Sequence, residues 1–233
     1  MRASIHPSAV KLEALVLRPR KYLANGLNYE SHAAEAAKVG LEKPKHQIWF
    51  NKQVTCINGP YDPITMPSVS AQLDYECALG LVIGKRCRHI KRDEAASVIA
   101  GYLICNDVSV RDWQMRSPTA TLGKSFDTHG PIGPWLVTPD EIGNPHNLDL
   151  RTLVNGEIRQ DGNTRDLIFD CYQQVAELST IFTLEPGDIL STGTPEGVGA
   201  LMEPPQFMKE GDVVRIEIEN IGHIENTVIR EPV

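Results

Sequence analysis

The chain lacks any apolar run approaching the roughly 18 residues that a membrane-spanning helix requires. It also lacks the charged-then-apolar N-terminal pattern of a secretory leader, so secretion is not expected. No low-complexity or Pro/Gly/Ser-rich linker divides its 233 residues, and with 41% hydrophobic content they can bury one substantial core. Basic clusters are almost missing. RPRK, from Arg18 to Lys21, is the only dense one and reads as the solvated entry to a first strand. With a formal net charge of -7 there is no basic stripe for a phosphate backbone, which excludes nucleic acid as a partner. There is no C-x-x-C pair either: Cys56, Cys77, Cys87, Cys105 and Cys171 are odd in number and dispersed. That usage reads as reduced thiols in a cytoplasmic protein, with Cys77 and Cys105 acting as small buried hydrophobes in apolar strands.

What is present is β-rich. Leu79 to Ile83 is an apolar run closed by Gly84, as in a strand buried on both faces. Val214, Ile216 and Ile218 alternate with Arg215, Glu217 and Glu219, as in a half-buried strand. Pro186 to Asp188 and Lys209 to Asp212 read as turns that launch strands. Helices are expected over Arg92 to Ala100, stopped by Gly101, and over Asp166 to Ile181, where Leu167, Ile168, Cys171, Val175, Leu178 and Ile181 form an apolar stripe. Spacing alone gives a β-dominated chain with few helices.

The segment LDYECALGLVIGK, from Leu73, and GYLICNDVSVRDWQ, ending at Gln114, carries the densest chemical signal. On a strand Asp74, Glu76 and position 78 share one face, and position 78 is alanine. Taken alone, Asp74 and Glu76 read as strand-surface acids and Asp107 as a turn cap. If Glu76 and Asp107 instead meet at a cation, their hard oxygens suit Mg²⁺, Mn²⁺ or Ca²⁺ better than Zn²⁺. Upstream, His32 and Glu35 are spaced i, i+3. With Ser31 capping a short helix, the carboxylate can hold one imidazole nitrogen and leave the other free as a general base.

The rest of the chain orders these pieces. GLNYESHAAE from Gly26, the Asn-Asp at Asp107 with Arg111 and Gln114 after it, GKSFDTHGPIGPW from Gly123, VNGEIRQDGNT from Val154 and LEPGDILSTGTPEGVG from Leu184 occur in sequence. The set resembles the fumarylacetoacetate hydrolase family, and in particular its short members that act on acylpyruvates, oxaloacetate and related 2-oxo acids. The resemblance runs from about Arg18 almost to the C-terminus, so residues 1–17 are set apart as an N-terminal segment and 18–233 as the catalytic domain. It implies a β-dominated α+β fold, a mixed β-sandwich roll with a few short helices, assembled as a homodimer.

It also implies roles. Glu76 and Asp107 become metal ligands, while His32 and Glu35 become a base dyad on a lid that activates water for carbon–carbon hydrolysis. Lys124 becomes the cation beside the developing oxyanion. Arg111, Gln114 and Thr194 are placed to bind the substrate acid or keto oxygen, Tyr29 to wall the pocket, and Lys52 falls in the family's F-x-K segment. Asn25, His129 and His223 depart from the residues expected there, and His129 is read as tuning the substrate pocket.

Ala78 departs from the family's Glu-x-Glu metal motif. A methyl in place of a carboxylate makes Mg²⁺ weak or absent. The expected function is therefore hydrolysis of a small-molecule 2-oxo or β-diketo acid through a metal-stabilised enolate. The alternative is a metal-poor member repurposed as an isomerase, decarboxylase or cyclase, or a binding protein without catalysis.

Overall fold

The structure is a computed structural model that describes residues 10–231; of the N-terminal segment set apart above, residues 1–9 lie outside the described residues. Ala14, inside that segment, is buried against the same core as Tyr22 and Ile189, so its described part is packed onto the domain.

Two sheets dominate. A seven-stranded sheet runs in the order Ile48–Lys52, Tyr22–Gly26, Ile189–Ser191, Cys77–Ile83, Ile99–Asn106, Gly130–Val137 and Ile57–Asn58. A five-stranded sheet runs Glu157–Asn163, Asp149–Val154, Val213–Ile218, Gly222–Arg230 and Ile64–Met66. A small pair, Leu73–Asp74 with Ser109–Val110, joins at the point where the chain enters the first sheet. Pairing is mixed: Tyr22–Gly26 runs parallel to Ile189–Ser191, whereas Cys77–Ile83 and Ile99–Asn106 are antiparallel. The result is a β-dominated α+β sandwich roll with short helices, as expected.

Every residue of Cys77–Ile83 is buried, and the two faces go to different cores. Cys77, Leu79, Leu81 and Ile83 meet Leu150, Ile216 and Ile224 of the second sheet and Leu178 of the helix Cys171–Ile181. Ala78 and Val82 face the other way, toward Tyr22, Cys56, Cys105 and Ile132. The period-two strand thus carries the sandwich core on one face, and on the other the face that rises to Glu76.

Three helix expectations change. The stripe at Asp166–Ile181 becomes a helix only from Cys171, because Asp170 accepts hydrogen bonds from the backbone N–H groups of Tyr172 and Gln173 (2.9 and 2.8 Å) and fixes the start there. Leu167 and Ile168 precede it as irregular chain. The expected helix at Arg92–Ala100 is a 3₁₀ segment over Arg92–Val98, since Ile99 and Ala100 already belong to the next strand. Ser31 does not cap the helix Glu30–Ala37: Tyr29 occupies the cap position, and Ser31 Oγ instead accepts from the Glu196 backbone N–H (3.4 Å).

Candidate active site

Past the end of the antiparallel pair, the Asp107 N–H donates to the Glu76 carbonyl (2.9 Å), so the ladder places both side chains on the face that carries Ala78 and Cys105. Lys124 Nζ stands between their carboxylates, 2.8 Å from Glu76 Oε2 and 3.2 Å from Asp107 Oδ2. Lys52 Nζ donates to Asp107 Oδ1 (2.7 Å) and to the Val108 carbonyl (3.3 Å). Arg111 reaches from the opposite side, donating from Nη1 to Glu76 Oε1 (2.7 Å) and Gln114 Oε1 (2.9 Å) and from Nε to Asp74 Oδ2 (2.8 Å). Asp74, Glu76, Asp107, Lys52 and Lys124 are all buried.

Burial alone would push the Glu76 carboxyl up, but the Lys124 and Arg111 cations beside it outweigh that and bring it down to about 2. Burial pulls Lys52 down, and Asp107 more than compensates, so its ammonium is held above the ordinary value. The carboxylates and cations of the cluster are thus mutually paired. Desolvated charges of this kind are costly unless paired, and here each one is.

The base dyad lies on the helix Glu30–Ala37. His32 Nδ1 is 3.1 Å from Glu35 Oε2, and the other carboxylate oxygen accepts from the Gly197 backbone N–H (3.1 Å). Held this way, the imidazole keeps its proton on Nδ1 and offers Nε2 as an acceptor. His32 lies near enough to Glu76 for its charge to add, as a minor contribution, to the field that lowers that carboxyl.

The remaining expected residues fall into place unevenly. Thr194 is buried, and its hydroxyl accepts from Gln160 Nε2 (2.8 Å). Gln114 serves Arg111. Tyr29 is fully buried and packs in the sandwich core at the cap of the helix Glu30–Ala37. His129 is fully buried, with Nε2 donating to the Thr65 carbonyl (2.8 Å). Asp74, read alone as a surface acid, is completely buried and shares Arg111 with Glu76. Lys52 is the group whose part was not assigned from sequence. All five thiols are buried, and burial pushes Cys56 up to about 11 and Cys105 up to about 12, which disfavours the thiolate at both.

Glu76 Oε2 and Asp107 Oδ2 converge on the Lys124 ammonium, and hard oxygens of this kind suit Mg²⁺ or Mn²⁺. A third acidic donor is lacking. Ala78 presents a buried methyl, and among the described residues no group of three or more His, Cys, Asp or Glu side chains gathers. The donor set fits a cation shared between protein and ligand rather than an all-protein cage.

With this geometry in place, comparison with known proteins is decisive at the level of family. The fumarylacetoacetate (FAA) hydrolase C-terminal family matches residues 21–229. The chain belongs to the fumarylacetoacetate hydrolase family. A rat protein named oxaloacetate tautomerase Fahd2a, mitochondrial, is 46% identical over 223 residues, which cover 95% of this chain and 70% of the rat protein. A solved 5-carboxymethyl-2-hydroxymuconate delta-isomerase from Mycobacterium smegmatis superposes with a TM-score of 0.86 at 37% identity, covering 100% of this chain and 87% of its own. A maleylpyruvate hydrolase from Sphingobium sp. SYK-6, solved with manganese(II) and pyruvate, does so with a TM-score of 0.83 at 34% identity, covering 99% of this chain and 78% of its own. Family members of this similarity thus include isomerases and hydrolases, and one of them binds a divalent metal.

Proposed function

We propose that this protein is an enzyme of 2-oxo acids that moves a proton on the carbon next to the keto group, interconverting keto and enol forms of an oxaloacetate-like diacid. The observation that carries this reading is the His32–Glu35 dyad close to a buried cluster in which Lys124 and Arg111 present cationic donors. His32 Nε2 takes the proton from the carbon, and the electron pair moves onto the keto oxygen. The Lys124 ammonium stabilises that enolate oxygen. The buried Nη2 of Arg111, which has no partner, receives a substrate carboxylate. The imidazolium formed at His32, stabilised by Glu35, then returns that proton to the enolate oxygen, which gives the enol and restores neutral His32. When Mg²⁺ or Mn²⁺ is bound, Glu76 and Asp107 would hold it and it would polarise the keto oxygen.

Support comes from the names of the relatives, which include a tautomerase and an isomerase. A second reading, carbon–carbon hydrolysis of an acylpyruvate, is favoured by the same dyad, whose free nitrogen can deprotonate water, and by the neighbour named as a maleylpyruvate hydrolase. We assign the working assembly as a homodimer. Proton NMR of oxaloacetate, pyruvate and an acylpyruvate incubated with the protein and Mn²⁺ or Mg²⁺ separates the readings. Accelerated keto–enol exchange without new carbon products supports tautomerisation, cleaved acid products support hydrolysis, and neither would reject an enzyme of this class.

A further inference from the structure

Asp74 does more than neutralise Arg111. Its Oδ1 accepts from the backbone N–H groups of Tyr75 (2.9 Å) and Gly199 (2.8 Å), and its Oδ2 accepts from Ala200 N–H (2.9 Å) as well as Arg111 Nε (2.8 Å). Arg111 already has Glu76 as an ionic partner, so charge balance alone does not explain why two of the four bonds go to a distant turn. That turn is where the helix bearing the dyad is docked. Gly197 N–H donates to Glu35 Oε1, Glu196 N–H donates to Ser31 Oγ, and the Gly197 carbonyl accepts from Tyr75 Oη (3.1 Å). Gln160 fixes the other end, donating to Thr194 Oγ1 (2.8 Å) and the Pro195 carbonyl (2.9 Å).

The backbone of this turn has little freedom to drift. Gly197 has a φ of +92°, and a side chain at Gly199 would run into the Gln206 carbonyl and Asp74 Oδ1. A single buried carboxylate therefore ties together the arginine that awaits a substrate acid and the turn that latches the helix carrying the base. We propose that Asp74 is a positioning residue that couples occupation of Arg111 to closure of the Glu30–Ala37 helix over the site. The inference rests on the functional reading given above for Arg111 and His32. Coupling of this kind is reciprocal: a ligand acid that fixes Arg111 tightens the latch, and a docked helix holds Arg111 ready.

Asp74→Asn tests this in the full-length protein, because the amide keeps the size but loses one acceptor and the charge. Hydrogen exchange of residues 30–37 and 194–202 is measured with and without oxalate, alongside kcat and KM for the best 2-oxo acid. In the native protein oxalate should slow exchange in both segments. In Asp74→Asn, exchange of both segments without ligand should be about tenfold faster or more. Oxalate should no longer protect the helix, and KM should rise more than kcat falls. A folded Asp74→Asn protein with native helix exchange overturns the proposal. So does one in which exchange changes only at residues 199–200, or in which KM is native. Should this variant fail to fold, Tyr75→Phe removes only the hydroxyl contact to Gly197 and must loosen the helix in the same direction. If the native protein turns over no 2-oxo acid, the functional reading fails, and exchange of the helix with and without oxalate still decides the coupling.

Discussion

Ala78→Glu is the substitution whose outcome the fold constrains most tightly. Ala78 pairs with Cys105 across the ladder and is buried among Tyr22, Cys56, Cys105 and Ile132. On the same face Lys52 Nζ lies 5.9 Å from the centre of the Tyr22 ring, so a glutamate there reaches toward Lys52 and Asp107. Four added heavy atoms overpack this core, at a cost of about 1–3 kcal/mol. For a domain of this size that lowers Tm by about 2–12 °C in the absence of divalent cation. A third carboxylate beside Glu76 and Asp107 also completes a set of acidic ligands, so Mn²⁺ should return much of the loss, about 2.7 kcal/mol at a hundredfold excess over Kd. Differential scanning calorimetry of both proteins, with Mn²⁺ and with chelator, reads both arms. The reasoning predicts a larger Mn²⁺-dependent rise in Tm for Ala78→Glu than for the native protein. An equal or smaller rise would mean that position 78 does not face the carboxylates, and the assignment of Glu76 and Asp107 as a cation pair would go with it.

Burial holds the His129 imidazole neutral, down to about 4, against the hydrogen bond to Thr65 that favours its charged form. A histidine depressed on folding contributes stability above its unfolded pKa that is lost as pH falls from about 6.5 to about 4, roughly 3 kcal/mol in all. Urea titrations across that range should show the loss in the native protein and a flatter profile in His129→Phe; parallel profiles would contradict it. Glu76 behaves with the same sign at lower pH, its pairing with Lys124 and Arg111 being lost as pH falls from about 4 toward 2. Lys52→Met strips Asp107 of its 2.7 Å partner and should cost about 3–5 kcal/mol, with Mn²⁺ recovering part of it; a loss below about 1 kcal/mol would show that Lys52 is not what stabilises the Asp107 charge. Light scattering should return a mass of about twice 25.8 kDa, and a monomer at working concentration would refute the homodimer.

The strands were readable where one rule governs them. Val213–Ile218 alternates because one face is buried, and Cys77–Ile83 is continuous because both are. Glu76 and Asp107 were readable as partners because period two and the motif order agree. Helix ends were less legible: whether Leu167 and Ile168 join the helix depends on Asp170 capping, a choice that an apolar stripe does not record. Asp74 was the largest miss. Its neighbours in sequence suggest a surface acid, and its partners Gly199, Ala200 and Arg111 lie 125, 126 and 37 residues away. Only the D-x-E spacing, which puts Asp74 and Glu76 where one guanidinium can hold both, hinted at it. Tyr29 shows the same limit, since a motif gives its adjacency to the lid but not that its ring packs in the sandwich core.

The most direct test of the central claim follows the ultraviolet absorbance of enol oxaloacetate as it converts to the keto form, with native protein and with His32→Ala. The account predicts that native protein accelerates the conversion and that His32→Ala, still folded, loses about a hundred- to ten-thousand-fold of that acceleration. Native protein that leaves the spontaneous rate unchanged, or a His32→Ala protein that is as fast as native, would contradict it.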